Sequence, residues 1–258
     1  MFGLGSAFVF LVELDSVMPG YRATMTTSAI ICGVAAVSYY FIANQYTPNR
    51  SFPTVIRYFD WTITTPLLLL KYPEMLKVSG TVFAWKLILA DLFMIVTGFI
   101  GELYGTTIRG HWYPDTSGAI GAHYVWGAVS TLGYLVVVFL LLTEGARLAT
   151  AQPETIRHGI KTMNMYLLTL WGVYSIIYLL EGLSASHLAW GVNLDWFNTA
   201  GSVADVINKV GFGITAFLAV GALAGNHLQG QYRLQEDADG ISSLRLNKKT
   251  GQPEGQVR

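Results

Sequence analysis

The stretch GTVFAWKLILADLFMIVTGFIGELY, residues 80–104, is almost entirely apolar and is long enough to cross a lipid bilayer. A membrane-spanning helix needs about 20 predominantly apolar residues. Five further segments reach this length, at about 25–45, 54–72, 122–145, 162–182 and 199–225, and a shorter apolar run, Phe2 to Leu14, precedes them. The sequence therefore predicts an all-α membrane protein, a bundle of seven transmembrane helices.

The composition of the chain agrees with a membrane protein. Hydrophobic residues make up 52% of the 258 residues and charged residues 12%, about half the share in a typical soluble domain. The formal net charge is zero, which gives no basic surface for nucleic acid. Cys32 is the single cysteine, and the five histidines show no metal-ligand spacing. We expect an integral protein of the cell membrane with no metal site, and not a cytosolic enzyme.

The basic residues of the connecting segments predict the orientation. One side of the membrane receives Arg22, Lys77, Arg147, Arg157, Lys161 and the basic tail, whereas the other receives Arg50 and Arg109. Because cytoplasmic loops carry the excess of Lys and Arg, the N-terminus is expected outside and the C-terminus in the cytoplasm. Residues 1–227 are predicted to form the transmembrane domain, and the polar residues 228–258 a flexible cytoplasmic tail. The first apolar run is short for a span, at about 20 Å.

Two charged residues in the seventh segment lie on one face of the predicted helix. Asp205 and Lys209 are four residues apart, and a charge inside a membrane segment is costly and therefore suggests a function. One interpretation is a neutral ion pair that joins helices. The other is that Lys209 is a reactive amine, since a neutral amine forms a Schiff base with an aldehyde.

The third segment carries a stripe of groups that can exchange protons. Arg57, Asp60, Thr64 and Lys71 share this segment, and Lys71 follows Asp60 by eleven residues, about 20° off the same helix face and about 16 Å along the axis. The pattern predicts a proton relay through the bilayer. A pore lining and a structural polar seam are equally consistent with the spacing.

Aromatic residues are spaced to build the wall of a pocket. Trp61 follows Asp60, and Trp171, Tyr174 and Tyr178 share one face of the sixth segment. Such a stripe is more often helix-packing core than a cofactor site. Together with a buried lysine, however, it favours an apolar conjugated ligand.

Two motifs on separate helices carry a family resemblance. The third-helix motif is RYFDWTITTPL at 57–67 and the seventh-helix motif is DVINKVGFG at 205–213, with WGVY at 171–174 and DLFM at 91–94 in matching order. They resemble the microbial (type I) rhodopsins over about residues 5 to 225. The detail is most similar to the proteorhodopsin-like and xanthorhodopsin-like bacterial proton pumps, here with an Asp60-Thr64-Lys71 triad.

The resemblance implies a role for each of these residues. Lys209 would hold all-trans retinal as a protonated Schiff base, and Asp60 would be its primary counterion and proton acceptor. Asp205 would be the second counterion, Arg57 would gate the extracellular side, and Thr64 would help to hold Asp60. The residues expected to contact retinal are Trp61, Thr65, Leu68, Met94, Ser130, Trp171, Tyr174 and Tyr178.

Three positions depart from the usual pattern of such pumps. Lys71 stands where most outward pumps carry a carboxylate, so it either replaces that proton donor or extends to the inner surface as an anchor. Ser38 stands where proteorhodopsins place a histidine beside the counterion. Gly127 would open a window for a hydroxylated carotenoid antenna, although a glycine also permits close packing of membrane helices.

Three further acids are given structural interpretations. Asp91 is expected to be a buried acid hydrogen bonded to a neighbour on the fifth helix. Glu102 and Glu181 lie near outer helix ends and are expected to be solvated, and His123 is given no role.

The resemblance therefore implies a light-driven outward proton pump, an ion transporter and not an enzyme. Its partners would be protons, membrane lipid and further copies of the chain in a trimer or pentamer. The alternative is a photosensor that signals through a partner protein, because sensors can keep Asp60 and lose the cytoplasmic carboxylate.

Overall fold

The computed structural model describes residues 2–49, 51–78, 81–108, 111–116, 118–185 and 194–243. Within these residues the chain forms seven successive helical rods. The first four are Phe2–Val12, Arg22–Asn49, Thr54–Met75 and Val82–Glu102. The fifth is Ala119–Leu140, extended by the π-helical turn Leu141–Gly145 and by Ala146–Ala149. The sixth joins Glu154–Tyr166 to Gly172–Ala185 through the π-helical turn Leu167–Trp171, and the seventh is Leu194–Ser243. The predicted all-α class is confirmed.

Prolines set some of the helix ends differently from the prediction. The sixth helix starts at Glu154, directly after Pro153. A negative charge in the first turn, here that of Glu154, stabilises a helix N-terminus. The third helix passes Pro73 and ends at Met75, so the predicted end at Tyr72-Pro73 is wrong. Pro73 removes one donor from the last turn, and its carbonyl accepts a closing hydrogen bond from Val78 N at 2.8 Å.

A β-hairpin occupies part of the segment predicted as a loop between the fourth and fifth helices. Strand β1, Gly105–Ile108, pairs antiparallel with strand β2, His111–Pro114, with Thr106 opposite Tyr113. These strands are rich in β-branched and aromatic residues, which favour an extended backbone. Arg109, and with it part of the turn, lies outside the described residues, as does Arg50.

Five of the helices are long and apolar enough to cross a membrane: Pro19–Tyr46, Val82–Glu102, Ala119–Ala149, Glu154–Leu183 and Asp195–Asn226. The third helix falls below this level because Arg57, Asp60, Lys71 and Glu74 lie within it. Large apolar side chains such as Phe8, Trp85, Leu132 and Leu218 are exposed on the outer faces, as expected for surfaces that contact lipid. The protein is an integral membrane protein.

The seventh helix lies against the second, third, sixth and first helices and carries the residues that organise the interior. Its side chains Phe212, Ala216 and Val220 are buried in the main apolar cluster with residues such as Leu68 and Tyr72. The helix continues without a break through residue 227 to Ser243. The predicted tail thus begins as helix. Its flexibility stays a prediction, and residues 244–258 lie outside the described part.

Candidate functional site

A buried ion triplet lies at the centre of the molecule. The ammonium group of Lys209 is ion paired with Asp60 Oδ2 and with Asp205 Oδ2, the latter at 2.6 Å. All three side chains are nearly inaccessible, with exposed side-chain fractions of 1% for the lysine and 3% and 5% for the acids. Isolated charges are unfavourable in an apolar interior, so the lysine and the two carboxylates depend on one another. The structure brings together the acids and the amine of two separate sequence motifs.

The third helix supplies the local setting of Asp60. The hydroxyl of Thr64 donates to the Asp60 carbonyl at 2.9 Å and lies 3.5 Å from Asp60 Oδ2. Ser38, from the second helix, is buried beside the same carboxylate. Asp60 Oδ2 contacts the lysine, and in the part of the chain that the structure describes Asp60 Oδ1 is buried without a hydrogen-bond partner.

Asp205 is held by a tyrosine that the sequence interpretation missed. The hydroxyl of Tyr39, from the second helix, donates to Asp205 Oδ2 at 2.9 Å. The same oxygen accepts from Lys209, so Asp205 is anchored by two donors from two helices. This double anchoring fixes the position of Asp205 beside the amine.

Arg57 is buried near the N-terminal end of the seventh helix and does not pair with the central acids in the described part of the chain. Its guanidinium donates to Asn198 Oδ1 at 2.9 Å and lies 3.5 Å from Ser202 Oγ. It also lies over the ring of Phe52, 3.8 Å from the ring centroid. Asn198 precedes Asp205 by seven residues, two helical turns on the same face, so sequence spacing could have identified it.

A cavity lies beside the ion triplet, and aromatic side chains form much of its wall. Trp61 and Tyr174 meet edge to face, with ring centroids 4.7 Å apart. The predicted contact residues that line the cavity are Trp61, Thr65, Met94, Ser130, Trp171, Tyr174 and Tyr178, and Asp205 and Gly127 line it as well. Leu68 is fully buried in the main apolar cluster and is not among the lining residues. An aromatic cavity with Asp205 at its wall beside the ion triplet suits a long apolar ligand attached to the neighbouring lysine.

Asp91, from the fourth helix, lies behind the cavity-lining residue Thr65. It is completely buried, and its Oδ2 accepts a hydrogen bond of 2.8 Å from the hydroxyl of Thr65. The prediction of a buried, hydrogen-bonded acid is confirmed. The predicted partner on the fifth helix is wrong, because the third helix lies close enough to provide Thr65. The pair joins the third and fourth helices next to the cavity.

Gly127 faces a ring of the sixth helix. A Cβ atom added at Gly127 would lie 2.5 Å from Cε1 of Tyr178, closer than side chains tolerate. The missing side chain thus lets Tyr178 lie against the fifth helix and form the cavity wall there.

Lys71 is buried and not snorkelling to a surface. The side chain has an exposed fraction of 0%, and its Nζ atom has no hydrogen-bond partner. The interpretation of Lys71 as an interfacial anchor is therefore wrong, because the neighbouring helices enclose it.

One end of the cavity contains a polar cluster, and the sequence interpretation placed its two glutamates in solvent. Glu102, Glu181 and His123 are buried, with exposed fractions of 8%, 5% and 0%, and their candidate ligand atoms lie within 4.8 Å of one another. His123 Nε2 lies 3.0 Å from the carbonyl oxygen of Tyr178. The expectation of solvated glutamates is thus wrong, since the fourth, fifth and sixth helices close over them.

These features define a class: a helical membrane protein whose buried lysine, two carboxylates and aromatic cavity suit a covalently bound chromophore. Comparison with known proteins names the family. The family of bacteriorhodopsin-like proteins matches residues 1–223, and the chain belongs to it. Membership implies a retinal chromophore and places the protein among rhodopsins, not enzymes.

Individual relatives agree with this assignment. The chain is 27% identical over 218 residues to the green-light absorbing proteorhodopsin of Gamma-proteobacterium EBAC31A08, covering 82% of this chain and 79% of that protein. The crystal structure of Exiguobacterium sibiricum rhodopsin superposes with a TM-score of 0.70 at 33% identity, covering 86% and 92% of the two chains. Xanthorhodopsin, a light-driven ion pump with dual chromophore, gives a TM-score of 0.72 at 22% identity, covering 87% and 90%, which shows the common fold.

Proposed function

We propose that this rhodopsin is a light-driven outward proton pump in which Lys209 carries retinal. The observation that carries the proposal is the contact of the Lys209 ammonium group with both Asp60 and Asp205. A nitrogen that must hold and then release a proton needs a nearby base, and Asp60 provides one within direct contact. Proton pumping is also named for similar proteins, among them a light-driven proton pump from Leptosphaeria maculans whose chain shares this fold.

Retinal, when bound, supplies light absorption and a change of shape that alters the surroundings of the lysine nitrogen. The chain's own residues then move the proton. Asp60 is the acceptor, since its Oδ2 contacts the Lys209 nitrogen. Asp205 stays fixed beside the nitrogen, because Tyr39 and Lys209 both donate to it. Two acids in one site thus take different roles through their hydrogen bonds.

The outer and inner sides of the centre differ, which gives the transfer a direction. Toward the outside, Arg57 is held by Asn198 and lines the cavity, which places it as the gate on that side. Toward the inside, Lys71 is enclosed and unpaired. An ammonium would be costly there, so we propose that Lys71 rests as a neutral amine, takes a proton from the cytoplasm late in the cycle and passes it inward.

Other parts of the proposal concern the surroundings of the bundle. We infer an outside N-terminus and a cytoplasmic C-terminus from the distribution of basic residues, with residues 228–258 as a cytoplasmic extension. Assembly into a trimer or pentamer is proposed from the exposed apolar faces of the helices. We propose that a hydroxylated carotenoid antenna binds on the surface of the fifth helix beside Gly127. The ring of Tyr178, from the sixth helix, lies directly against this glycine.

Spectroscopy of one variant tests the attachment. Lys209→Ala, reconstituted with all-trans retinal, should show no visible band that resists hydroxylamine, because no amine remains at the cavity. Lys86→Ala is a matched control, since Lys86 pairs with Glu144 on the surface and should leave the band intact. A hydroxylamine-resistant visible band in Lys209→Ala would show that retinal is bound elsewhere or not covalently.

A further inference from the structure

The inner end of the third helix carries a carboxyl group with no role in the function described so far. Glu74 lies one turn beyond Lys71 and is half-buried, between the enclosed amine and the inner surface. Thr27, from the second helix, donates to Glu74 Oε1 over a long hydrogen bond of 3.3 Å. The other oxygen, Oε2, is buried and has no hydrogen-bond partner.

Lys71 and Glu74 are neighbours on one helix face. Residues three apart on a helix have Cβ atoms about 5–6 Å apart, and the two groups interact electrostatically. In the part of the chain that the structure describes, Lys71 Nζ and Glu74 Oε2 are both buried without a hydrogen-bond partner. Each therefore has an unused hydrogen-bonding position on the same side of the helix.

The remaining groups around Glu74 leave this path open. Thr24 and Thr27 of the second helix face its carboxyl group with hydroxyls. Lys77, in the turn after the helix, donates instead to the carbonyl of Gly20 and lies 3.2 Å from the ring centroid of Tyr21. Lys77 is thus held by the backbone of another segment. Among the described residues it forms no salt bridge with Glu74.

We propose that Glu74 is the proton-entry group of the inner path, which collects a proton from the cytoplasm and delivers it to Lys71. This inference rests on the proposed function. The O–H bond of the protonated Glu74 breaks and an N–H bond forms on the lone pair of Lys71 Nζ. Glu74 is left as a carboxylate beside an ammonium, and water on the cytoplasmic side then protonates it again.

A carboxyl group at this place meets a need that Lys71 alone does not. A neutral amine holds no spare proton, so its supply depends on proton capture at the moment of demand. Glu74 reaches both the inner surface and the side of the helix that carries the amine. A positioned acid–base group contributes roughly 10²–10⁴-fold to a proton transfer, so loss of Glu74 should have a large effect on the late step.

Flash photolysis of the retinal-loaded protein from about pH 5 to 9 tests the assignment. Glu74→Gln should slow reprotonation of the lysine nitrogen about 10²-fold at the alkaline end. The dark visible band and the first transfer to Asp60 should match those of the parent. Glu74→Asp keeps the carboxyl group and should stay within about tenfold of the parent, in line with retained acid–base chemistry. Azide, a small permeant weak acid, should restore much of the rate in Glu74→Gln.

Glu144→Gln is the matched control, because Glu144 is a surface acid paired with Lys86 and should leave every phase unchanged. If Glu74→Gln reprotonates at the parent rate at every pH, the assignment is refuted. Equal slowing in Glu74→Gln and Glu74→Asp without azide rescue would refute it as well and indicate a packing role. If Glu74→Gln forms no visible band, azide-reversible slowing in Glu74→Asp supports the assignment and an unchanged late rate refutes it. A parent that transports no protons would instead refute the proposed function itself.

Discussion

Replacement of Lys71 by methionine should affect the stability of the dark protein and the rate of its photocycle in opposite directions. Lys71 is fully buried and its Nζ has no hydrogen-bond partner. A buried polar group left unsatisfied costs about 1–3 kcal/mol. Methionine has a similar length and no polar terminus, so Lys71→Met should leave the dark protein equally stable or more stable by up to about 3 kcal/mol. Slower thermal bleaching of the visible band would report this gain.

The kinetic effect of the same change should have the opposite sign. Without the Lys71 amine, no relay group remains on the inner side of the Lys209 nitrogen. Reprotonation of that nitrogen should therefore slow by about 10²-fold or more. A factor of 10² corresponds to about 2.7 kcal/mol of barrier. In the parent, reprotonation should slow as pH rises, since Lys71 must first capture a proton from the cytoplasm.

Flash photolysis across pH measures both effects in one preparation. The dark spectrum and the first transfer to Asp60 should be nearly unchanged in Lys71→Met. Lys86→Met is the control, because Lys86 is half-exposed in a surface ion pair and should have no kinetic effect. Identical decay of Lys71→Met and the parent at every pH would refute a role for Lys71 in the relay.

Three further changes give direct readouts. Asp60→Asn should shift the visible band to the red and abolish transport, because the negative charge beside the lysine nitrogen is lost; full transport in this variant would remove Asp60 as acceptor. Gly127→Trp should abolish energy transfer from added hydroxylated carotenoids to retinal, since even a Cβ atom at this position would lie 2.5 Å from a ring carbon of Tyr178. Energy transfer that survives the change would contradict a carotenoid window at Gly127. Thr65→Val leaves Asp91 without its 2.8 Å donor and should destabilise the dark protein by about 1–3 kcal/mol in thermal bleaching. Thr62→Val is its control, because Thr62 bonds only its own helix backbone, and equal bleaching of the two variants would argue against the Asp91 contact.

Spacing along single helices was sufficient to predict the core of the site. The i,i+4 relation of Asp205 and Lys209 and the stripe from Asp60 to Lys71 required only helical geometry, and the structure places these groups in the interior. The same rule would have found Asn198, which lies two turns before Asp205. Residues on one helix share a face regardless of how the helices pack, so this part of the prediction did not depend on the tertiary structure.

Contacts between helices were not predictable in the same way. Tyr39 bonds Asp205 across 166 positions, and Thr65 bonds Asp91 across 26. The burial of Glu102 and Glu181 arises because two helix ends close over both carboxyl groups. A charged residue near a predicted helix end is normally exposed to solvent, so the sequence predicted exposure where the structure has burial. Such contacts depend on how neighbouring helices are rotated relative to one another. Apolar residues can face either lipid or the bundle interior, so the apolar pattern of a sequence does not define this rotation.

Light-driven pH change in cells that express the protein tests the central claim most directly. The cells are supplied with retinal, suspended in unbuffered medium and illuminated with and without a protonophore. The account predicts that the medium becomes more acidic in the light, that the protonophore abolishes the change, and that Asp60→Asn gives none. A rise in external pH under the same illumination, or no change in cells that contain the pigment, would contradict outward proton pumping.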